Sequence, residues 1–211
     1  MMDPDFKKIR EYGFVEISIK KSRFISYTSP VSDEDEAKAF IESIREKHRD
    51  ASHNTYAYIV GKNVRTERYS DDGEPGGTAG IPILEKIRHH NLTDTVIVVT
   101  RYFGGTLLGT GGLARAYSQG AEDVIIQCGI SSFVKGYLVS VNTDYHDHGK
   151  IRNYLQTNGY GVVDENFTDH VIISTLIPEA ETDRAIKQIT ELTNARAETT
   201  IIEEEYIEME S

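Results

Sequence analysis

The chain has 211 residues, of which 38% are hydrophobic and 27% are charged. This balance excludes a disordered chain and supplies a packed core, and the length suits one large domain or two small ones. No apolar run approaches the roughly 18–20 residues of a membrane helix. The first twenty residues lack a secretory signal, and a single cysteine cannot form an internal disulfide. We therefore expect a cytoplasmic protein that makes no membrane contact.

The negative charge is concentrated toward the carboxyl terminus. The net charge of the chain is −11, and residues 136–211 carry 15 acidic and 5 basic side chains, a net charge of −10. Because phosphate backbones attract basic surfaces, we expect any contact with nucleic acid to be made by the amino-terminal part. We expect no DNA ligand. The acidic part is expected to be a solubilising face or a contact for a basic protein partner.

The first 130 residues predict an alternation of strands and helices. Alternating and β-branched apolar residues indicate strands, and apolar residues at spacings of three and four indicate helices. A first helix is expected after Ser32, which would cap it. Polar, glycine-rich loops are expected at residues 70–77 and 103–112. The predicted strands cover residues 14–20, 23–28, 55–60, 65–69 and 95–101, the later helices cover 81–89 and 113–127, and a turn covers 61–63.

The remaining residues predict a second domain with its own regular order. The predicted strands cover residues 133–141, 160–166, 170–177 and 199–208, and the predicted helices cover 148–157 and 181–192. This βαββαβ order is the ferredoxin-like pattern. We place the boundary near residues 131–135, which divides the chain into domains 1–132 and 133–211. The fold class is therefore expected to be α+β.

The segment from Arg101 to Arg115 is the strongest candidate for a binding site. A buried strand ends at Arg101, a loop with five glycines follows, and a helix begins near Leu113. Glycine allows close approach to the backbone, and a helix amino terminus presents free N–H groups, so the arrangement favours a phosphate or carboxylate. The alternative is that the glycines only permit a tight return from strand to helix. The spacing matches neither a Walker loop nor G-x-G-x-x-G.

Three carboxylates, those of Asp71, Asp72 and Glu74, lie in the other glycine-rich loop. They could ligate Mg²⁺ or Ca²⁺ through oxygen, or pair with the arginines at positions 23, 101 and 115. We favour the pairing and expect no metal or other cofactor.

His53 opens a predicted strand, where a histidine serves either as an acid–base group or as a hydrogen-bonded structural residue. The sequence offers no Ser-His-Asp or Cys-His constellation.

Four segments of the chain together resemble the YigZ/IMPACT family. They are Lys21–Phe24, the pair His53-Asn54 with the strand that follows it, Ser70–Gly80, and Val98–Tyr117, which reads VVTRYFGGTLLGTGGLARAY. At Gly76 the sequence departs from the family, which often carries serine there. The resemblance covers nearly the whole chain, but it does not include the amino-terminal partner-binding domain of IMPACT itself.

The resemblance implies a pair of folds and a biological setting. The first domain would be of the left-handed βαβ type shared by a small-subunit ribosomal protein and the GHMP sugar kinases. The second would be a ferredoxin-like domain similar to the last domain of the translocating elongation factor. Association with RNA or the ribosome, and a part in the control of translation, are also implied.

We therefore expect a non-enzymatic regulator that binds the ribosome, RNA or a phosphate-bearing ligand through a groove in its amino-terminal domain. The alternative is an enzyme or sensor that acts on a small phosphorylated metabolite, a nucleotide or a peptide. A third hypothesis is an adaptor for a basic protein. Tyr102 and Phe103 would either stack on bases or serve as core residues. The candidate ligand-binding residues are Arg23, His53, Asp71, Asp72, Glu74, Arg101, Tyr102, Gly104, Gly105, Gly109, Gly111, Gly112 and Arg115.

Overall fold

The computed structural model describes residues 4–62 and 64–209, so position 63 of the predicted turn lies outside the described residues. Within these residues the chain is an α+β structure of ten strands and five helices. The strands are β1 (Phe6–Ile9), β2 (Gly13–Ile19), β3 (Ser22–Pro30), β4 (His53–Val60), β5 (Thr66–Ser70), β6 (Thr95–Tyr102), β7 (Ile130–Thr143), β8 (Gly161–Phe167), β9 (Val171–Pro178) and β10 (Glu198–Glu208). The helices are α1 (Glu34–Lys47), α2 (Gly80–His89), α3 (Thr110–Cys128), α4 (Tyr145–Thr157) and α5 (Glu179–Leu192).

The chain divides into two compact units. The first unit runs from Phe6 to Ser132, and the second contains the described residues 4–5 and 133–209. Among the described residues, no helix combines the length and apolar character needed to cross a bilayer.

The first unit is built around β6, which is buried on both faces. The strands lie in the order β2-β3-β6-β4-β5, and each neighbouring pair is antiparallel. Because side chains alternate along a strand, Ile97 and Val99 belong to the core with α2 and α3, whereas Val96 and Val98 belong to the core with α1. A strand covered on both faces needs apolar residues at successive positions, and β6 supplies them.

Three features of this unit differ from the sequence expectation. The cap of α1 is Asp33 rather than Ser32, because the Asp33 carboxylate accepts hydrogen bonds from two first-turn N–H groups at 2.9 Å. α3 begins at Thr110 rather than near residue 113, so two glycines of the predicted loop lie in its first turn. The sequence does not predict β1, since a strand of four residues is too short to show a period.

The second unit has the predicted βαββαβ order, from β7 to β10. β7 pairs antiparallel with both β9 and β10, and β9 pairs antiparallel with β8, which places these four strands in the order β10-β7-β9-β8. Val141 and Ile173 of the sheet pack with Ile151 of α4 and Ile189 of α5 in one apolar core. The apolar residues of α4 and α5, which recur at the helical period, therefore face the strands, as in other amphipathic helices.

His48, the residue that follows α1, lies between two tyrosines. The residue is 9% exposed, and its Nε2 and Nδ1 lie 2.8 Å from the Tyr27 hydroxyl and 2.9 Å from the Tyr102 hydroxyl. The Tyr102 hydroxyl donates to Asp50 at 3.1 Å, so its oxygen accepts from Nδ1–H and Nε2 accepts from Tyr27. Burial lowers the pKa of His48, and the charge of Lys47 lowers it further.

Protonation of His48 is expected to destabilise the fold. Because folding lowers this pKa from its ordinary value of 6.5, the stabilising contribution of the neutral ring is complete above pH 6.5 and is lost as the pH falls through the folded pKa. The unfolding free energies of the wild type and His48→Gln, from urea denaturation, should differ most at about pH 8 and least at about pH 5. His170→Gln, which removes an exposed histidine, is the control for the substitution itself. A wild-type advantage over His48→Gln that does not change with pH would contradict the expectation.

Candidate functional site

The end of β6 places Arg101 on the face of the sheet that α3 covers. In the antiparallel register, Arg101 lies opposite Phe24 of β3 and His53 of β4. Its guanidinium lies 5.4 Å from the centroid of the Phe24 ring, and the residue is only 5% exposed. Removal of a guanidinium from water is costly unless charged or hydrogen-bonding groups surround it. The position therefore requires an acidic partner.

Glu74 is that partner. Nη1 of Arg101 donates to Oε1 of Glu74 at 2.6 Å, and the hydroxyl of Tyr117 on α3 donates to the same oxygen at 2.7 Å. All three residues are buried. Burial raises the pKa of Tyr117, and the hydrogen bond to Glu74 raises it further, so the phenol remains a donor at neutral pH. The loop carboxylate that pairs with Arg101 is thus the one at position 74.

The two aspartates of the same loop hold its backbone. Asp71 accepts hydrogen bonds at 2.8–3.0 Å from three N–H groups at and just before the start of α2, which satisfies donors that a helix leaves free. Asp72 accepts from the backbone N–H of Asn54 at 2.6 Å. In the part of the chain that the structure describes, no three metal-ligating side chains are grouped as an ion site would require. Both aspartates therefore organise the loop beside the site.

His53 faces Glu74 through one ring nitrogen. Nδ1 lies 2.8 Å from the carbonyl oxygen of Asp72, and because a carbonyl oxygen only accepts, Nδ1 carries the proton. Nε2 lies 3.9 Å from Oε1 of Glu74. In the neutral ring this nitrogen is an acceptor, and in the charged ring it is a second donor. His53 can therefore take a proton from a bound group or contribute positive charge to it.

Ser22 is a site residue that the sequence expectation missed. It is fully buried, and its hydroxyl oxygen accepts from Nη2 of Arg101 at 3.3 Å and from the backbone N–H of Gly104 at 3.2 Å. Position 104 needs glycine because a Cβ there would lie 2.0 Å from the carbonyl carbon of Lys21. The available signal for Ser22 is its position two residues before Phe24, on the same face of β3. Ser22 thus ties the start of β3 to the glycine-rich loop.

The amino terminus of α3 borders a cavity that Arg101 and Glu74 also line. The N-cap residue, Gly109, has a φ of 72° and supplies no side chain to the first-turn N–H groups. The cavity, which we call the Arg101 cavity, has a volume of about 420 Å³ and contains the side chains of His53, Glu74 and Arg101 in its lining. Its apolar walls include Phe103, Leu107, Leu108 and Leu113. It therefore combines a polar, partly charged surface with room for an apolar group.

The glycines of this loop meet different requirements. Gly105 and Gly109 have φ values of 80° and 72°, in the left-handed region that favours glycine. A Cβ at Gly112 would lie 3.2 Å from the Leu108 side chain. Gly111 lies within α3, and nothing lies within 4 Å of the place that its Cβ would occupy. Neither backbone conformation nor packing requires glycine at position 111, and its missing side chain leaves the first turn of α3 open.

Three of the predicted site residues lie elsewhere. Tyr102 packs on the opposite face of the sheet from Arg101, because successive side chains of a strand alternate. Arg23 forms an exposed ion pair with Glu16 at 2.9 Å, and this hydrogen bond lowers the pKa of Glu16. Arg115 lines a separate groove between α2 and α3. The sequence analysis predicts all three as ligand-binding residues, but the fold does not bring them into the Arg101 cavity.

Two family models match the chain. The Impact N-terminal domain matches residues 20–125, and a domain of unknown function (DUF1949) matches residues 141–196. The IMPACT family member YvyE of Bacillus subtilis is 40% identical over 190 residues, which cover 90% of this chain and 88% of YvyE. The chain belongs to the IMPACT family. The IMPACT family member YigZ of Escherichia coli is 31% identical over 188 residues, which cover 88% of this chain and 92% of YigZ.

Family membership confirms the resemblance predicted from the four segments. A crystal structure of a hypothetical protein is similar to this IMPACT family protein with a TM-score of 0.61 and 29% identity, over 96% of this chain and 99% of that chain. The Protein IMPACT homolog of Dictyostelium discoideum is 35% identical over 97 residues, which are 44% of this chain and 28% of that protein. The residues that line the Arg101 cavity all lie within the match to the Impact N-terminal domain.

Loss of Glu74 should cost more stability than loss of an exposed carboxylate. Glu74→Ala leaves Arg101 buried without its carboxylate, which should lower the free energy of unfolding by about 3–5 kcal/mol. Glu16→Ala breaks the exposed pair with Arg23 and should lower it by at most about 1 kcal/mol. Urea denaturation of both variants measures the difference. Equal losses would show that the buried pair does not hold the loop in place.

Proposed function

We propose that this IMPACT family protein is a non-enzymatic binding protein of the translation machinery, and that its first unit holds a phosphate group of the ligand in the Arg101 cavity. The observation that carries the proposal is that the open first turn of α3 and the buried guanidinium of Arg101 border one cavity. The free N–H groups and the dipole of a helix amino terminus favour an anion. A phosphate would accept from these donors.

The charges around the cavity support an anionic ligand. Arg101 and Glu74 neutralise each other, and Nε of Arg101 has no acceptor among the described residues. The carboxylate of Asp71 is already occupied by N–H groups near α2. The α3 dipole and the protonated form of His53 then add positive potential. A phosphate gains from these groups, whereas a cation would meet a carboxylate that is already paired.

The link with translation rests on the IMPACT family. The sequence resemblance implies association with RNA or the ribosome, and family membership supports it. Residues 136–211 carry a net charge of −10, which repels a phosphate backbone. We therefore infer that the first unit makes the contact with ribosomal or other RNA, and that any partner of the acidic second unit is a basic protein.

We also infer the finer fold classes that the resemblance implies. The strand order β10-β7-β9-β8, with α4 and α5 contributing to one core, supports a ferredoxin-like second unit. In the first unit, β3 and β4 both run antiparallel to β6, so they are parallel to each other and α1 connects them across β6. This crossover supports the βαβ domain of the ribosomal-protein and GHMP-kinase type.

A charge in the first turn of α3 tests the phosphate site without weakening the fold. Thr110 is exposed, lines the Arg101 cavity and is the first residue of α3. Thr110→Glu interacts favourably with the helix dipole, by about 0.3–1 kcal/mol, but it repels a phosphate. We expect this variant to lose at least about tenfold in affinity for ribosomes, whereas the uncharged Thr110→Gln loses less than about threefold. Co-sedimentation at about 50–200 mM salt measures both.

Two small ligands test phosphate binding in the Arg101 cavity independently of ribosome binding. Inorganic phosphate and uridine monophosphate should each raise the melting temperature of the wild type, because a ligand that binds only the folded state stabilises it. Neither should stabilise Thr110→Glu. Wild-type protein that stays in the supernatant with ribosomes at the lowest salt would contradict the translation contact. A melting temperature unchanged by either ligand would contradict the phosphate site.

A second function is favoured by the geometry of His53. The Asp72 carbonyl fixes the ring so that Nε2 of the neutral form is an acceptor, as a general base requires, and His53 lines the cavity. An enzyme acting on a small phosphorylated metabolite, nucleotide or peptide would use this nitrogen. His53→Gln should then abolish turnover, measured by ³¹P NMR, while the affinity for the same compound changes less than about threefold. Turnover that persists in His53→Gln would contradict this function.

A further inference from the structure

The turn between β2 and β3 is built from unfavourable residues. Ile19 pairs with Ser22, so Lys20 and Lys21 are the two central residues of the turn. Their φ values are 46° and 69°. A two-residue turn with positive φ at both positions strongly prefers Asn-Gly, because the left-handed region crowds an ordinary side chain. The lysines therefore occupy a place where local structure favours other residues.

This turn lies against the glycine-rich loop of the Arg101 cavity. A Cβ on Gly104 would lie 2.0 Å from the carbonyl carbon of Lys21, so the two backbones are in direct contact. The next residue, Ser22, accepts a hydrogen bond from Arg101. A shift of the turn would therefore move residues that contact Arg101 and the glycine-rich loop. The lysines are held beside the site by the same contacts that hold the buried guanidinium.

Both lysines carry free positive charge beside the cavity. Lys20 and Lys21 are exposed, and neither has a carboxylate within ion-pair distance among the residues that the structure describes. The exposed acid of the adjoining strand, Glu16, is already paired with Arg23. The turn therefore presents two ammonium groups without a carboxylate partner. A single phosphate in the cavity would leave both of them unused.

An exposed aromatic ring completes the arrangement. Phe103 follows β6 directly, is 49% exposed and lines the Arg101 cavity. Its ring lies 5.4 Å from the Arg101 guanidinium, and its backbone N–H donates to Ser52 at 3.1 Å. Proteins that bind single-stranded nucleic acid combine such aromatic surfaces with cations that follow the phosphate backbone. A free phosphorylated metabolite would use the cavity alone.

We propose that Lys20 and Lys21 form a second anion subsite, which binds a neighbouring phosphate of a single-stranded RNA whose first phosphate lies in the Arg101 cavity. This inference rests on the proposed function and names its ligand class. Two phosphate subsites require a ligand with linked phosphates, such as the phosphodiester backbone of RNA. One phosphate would lie at the amino terminus of α3 and another at the β2–β3 turn. A base between them contacts Phe103.

The test uses the full-length chain and a double variant that suits the turn. Lys20→Asn with Lys21→Gly removes both charges and supplies the residues that the backbone prefers, so the melting temperature should rise by about 2–4 °C. Its affinity for a fluorescein-labelled twelve-nucleotide oligouridylate should fall about tenfold. The slope of log K against log salt should become shallower by about 0.7 for each lost phosphate contact. Binding of uridine monophosphate should not change.

The control variant removes two lysines far from the turn. Lys38→Gln with Lys187→Gln changes the net charge by the same amount at exposed positions of α1 and α5, and it should bind the oligouridylate like the wild type. An equal loss in this control would show a general charge effect and overturn the subsite. Tighter binding of the matching deoxyuridine oligomer would overturn RNA as the ligand.

The outcomes separate this inference from the proposed function. If Thr110→Glu binds the oligouridylate more weakly but the turn variant, Lys20→Asn with Lys21→Gly, does not, the phosphate site in the cavity is supported and the lysine subsite is overturned. If the turn variant loses it but Thr110→Glu does not, the lysines bind RNA without the cavity, which also overturns the proposed subsite. If the wild type binds neither uridine monophosphate nor the oligouridylate, the proposed function and the inference both fail.

Discussion

The burial of one guanidinium is the constraint on which the site depends. Arg101 lies at the end of a strand covered on both faces, where a charge needs several partners. Those partners come from three separate segments: Glu74 from the loop before α2, Tyr117 from α3 and Ser22 from the start of β3. The hydrogen bonds to this ion pair therefore hold three separate segments together beside the Arg101 cavity. The pair organises the cavity even though an exposed pair of the same residue types would contribute little.

The same set of contacts leaves the first turn of α3 available. The carboxylate of Asp71 is taken by the N–H groups near α2. The N-cap of α3 is Gly109, which has no side chain to offer, and Gly111 leaves the next part of the turn uncovered. The first turn of α3 is largely exposed and opens into the cavity, which leaves its N–H groups available to a ligand. It favours an anion.

Two places where local preference and structure disagree lie near this cavity. Two lysines adopt positive φ in the β2–β3 turn, and a helix begins with glycines that disfavour helix formation. Such conflicts tend to concentrate where function rather than stability selects the residue. By contrast, the opposite face of β6 is conventional: Tyr102 and His48 form a hydrogen-bonded cluster that closes the core with α1. One strand end thus separates a stabilising cluster from the candidate site.

The sequence by itself determined the elements whose residues carry a period. The buried run of β6, the βαββαβ order of the second unit and the four family segments follow from adjacent residues. Only the tertiary structure decided which acid meets Arg101, because Glu74 is 27 positions away and three loop carboxylates were equivalent candidates. It also placed His53 opposite Arg101 through strand register, and separated Tyr102 through the alternation of the strand. The contacts of Ser22 and the true start of α3 were also decided by the tertiary structure, since a small hydroxyl and a pair of glycines reveal their roles only through contacts between distant segments.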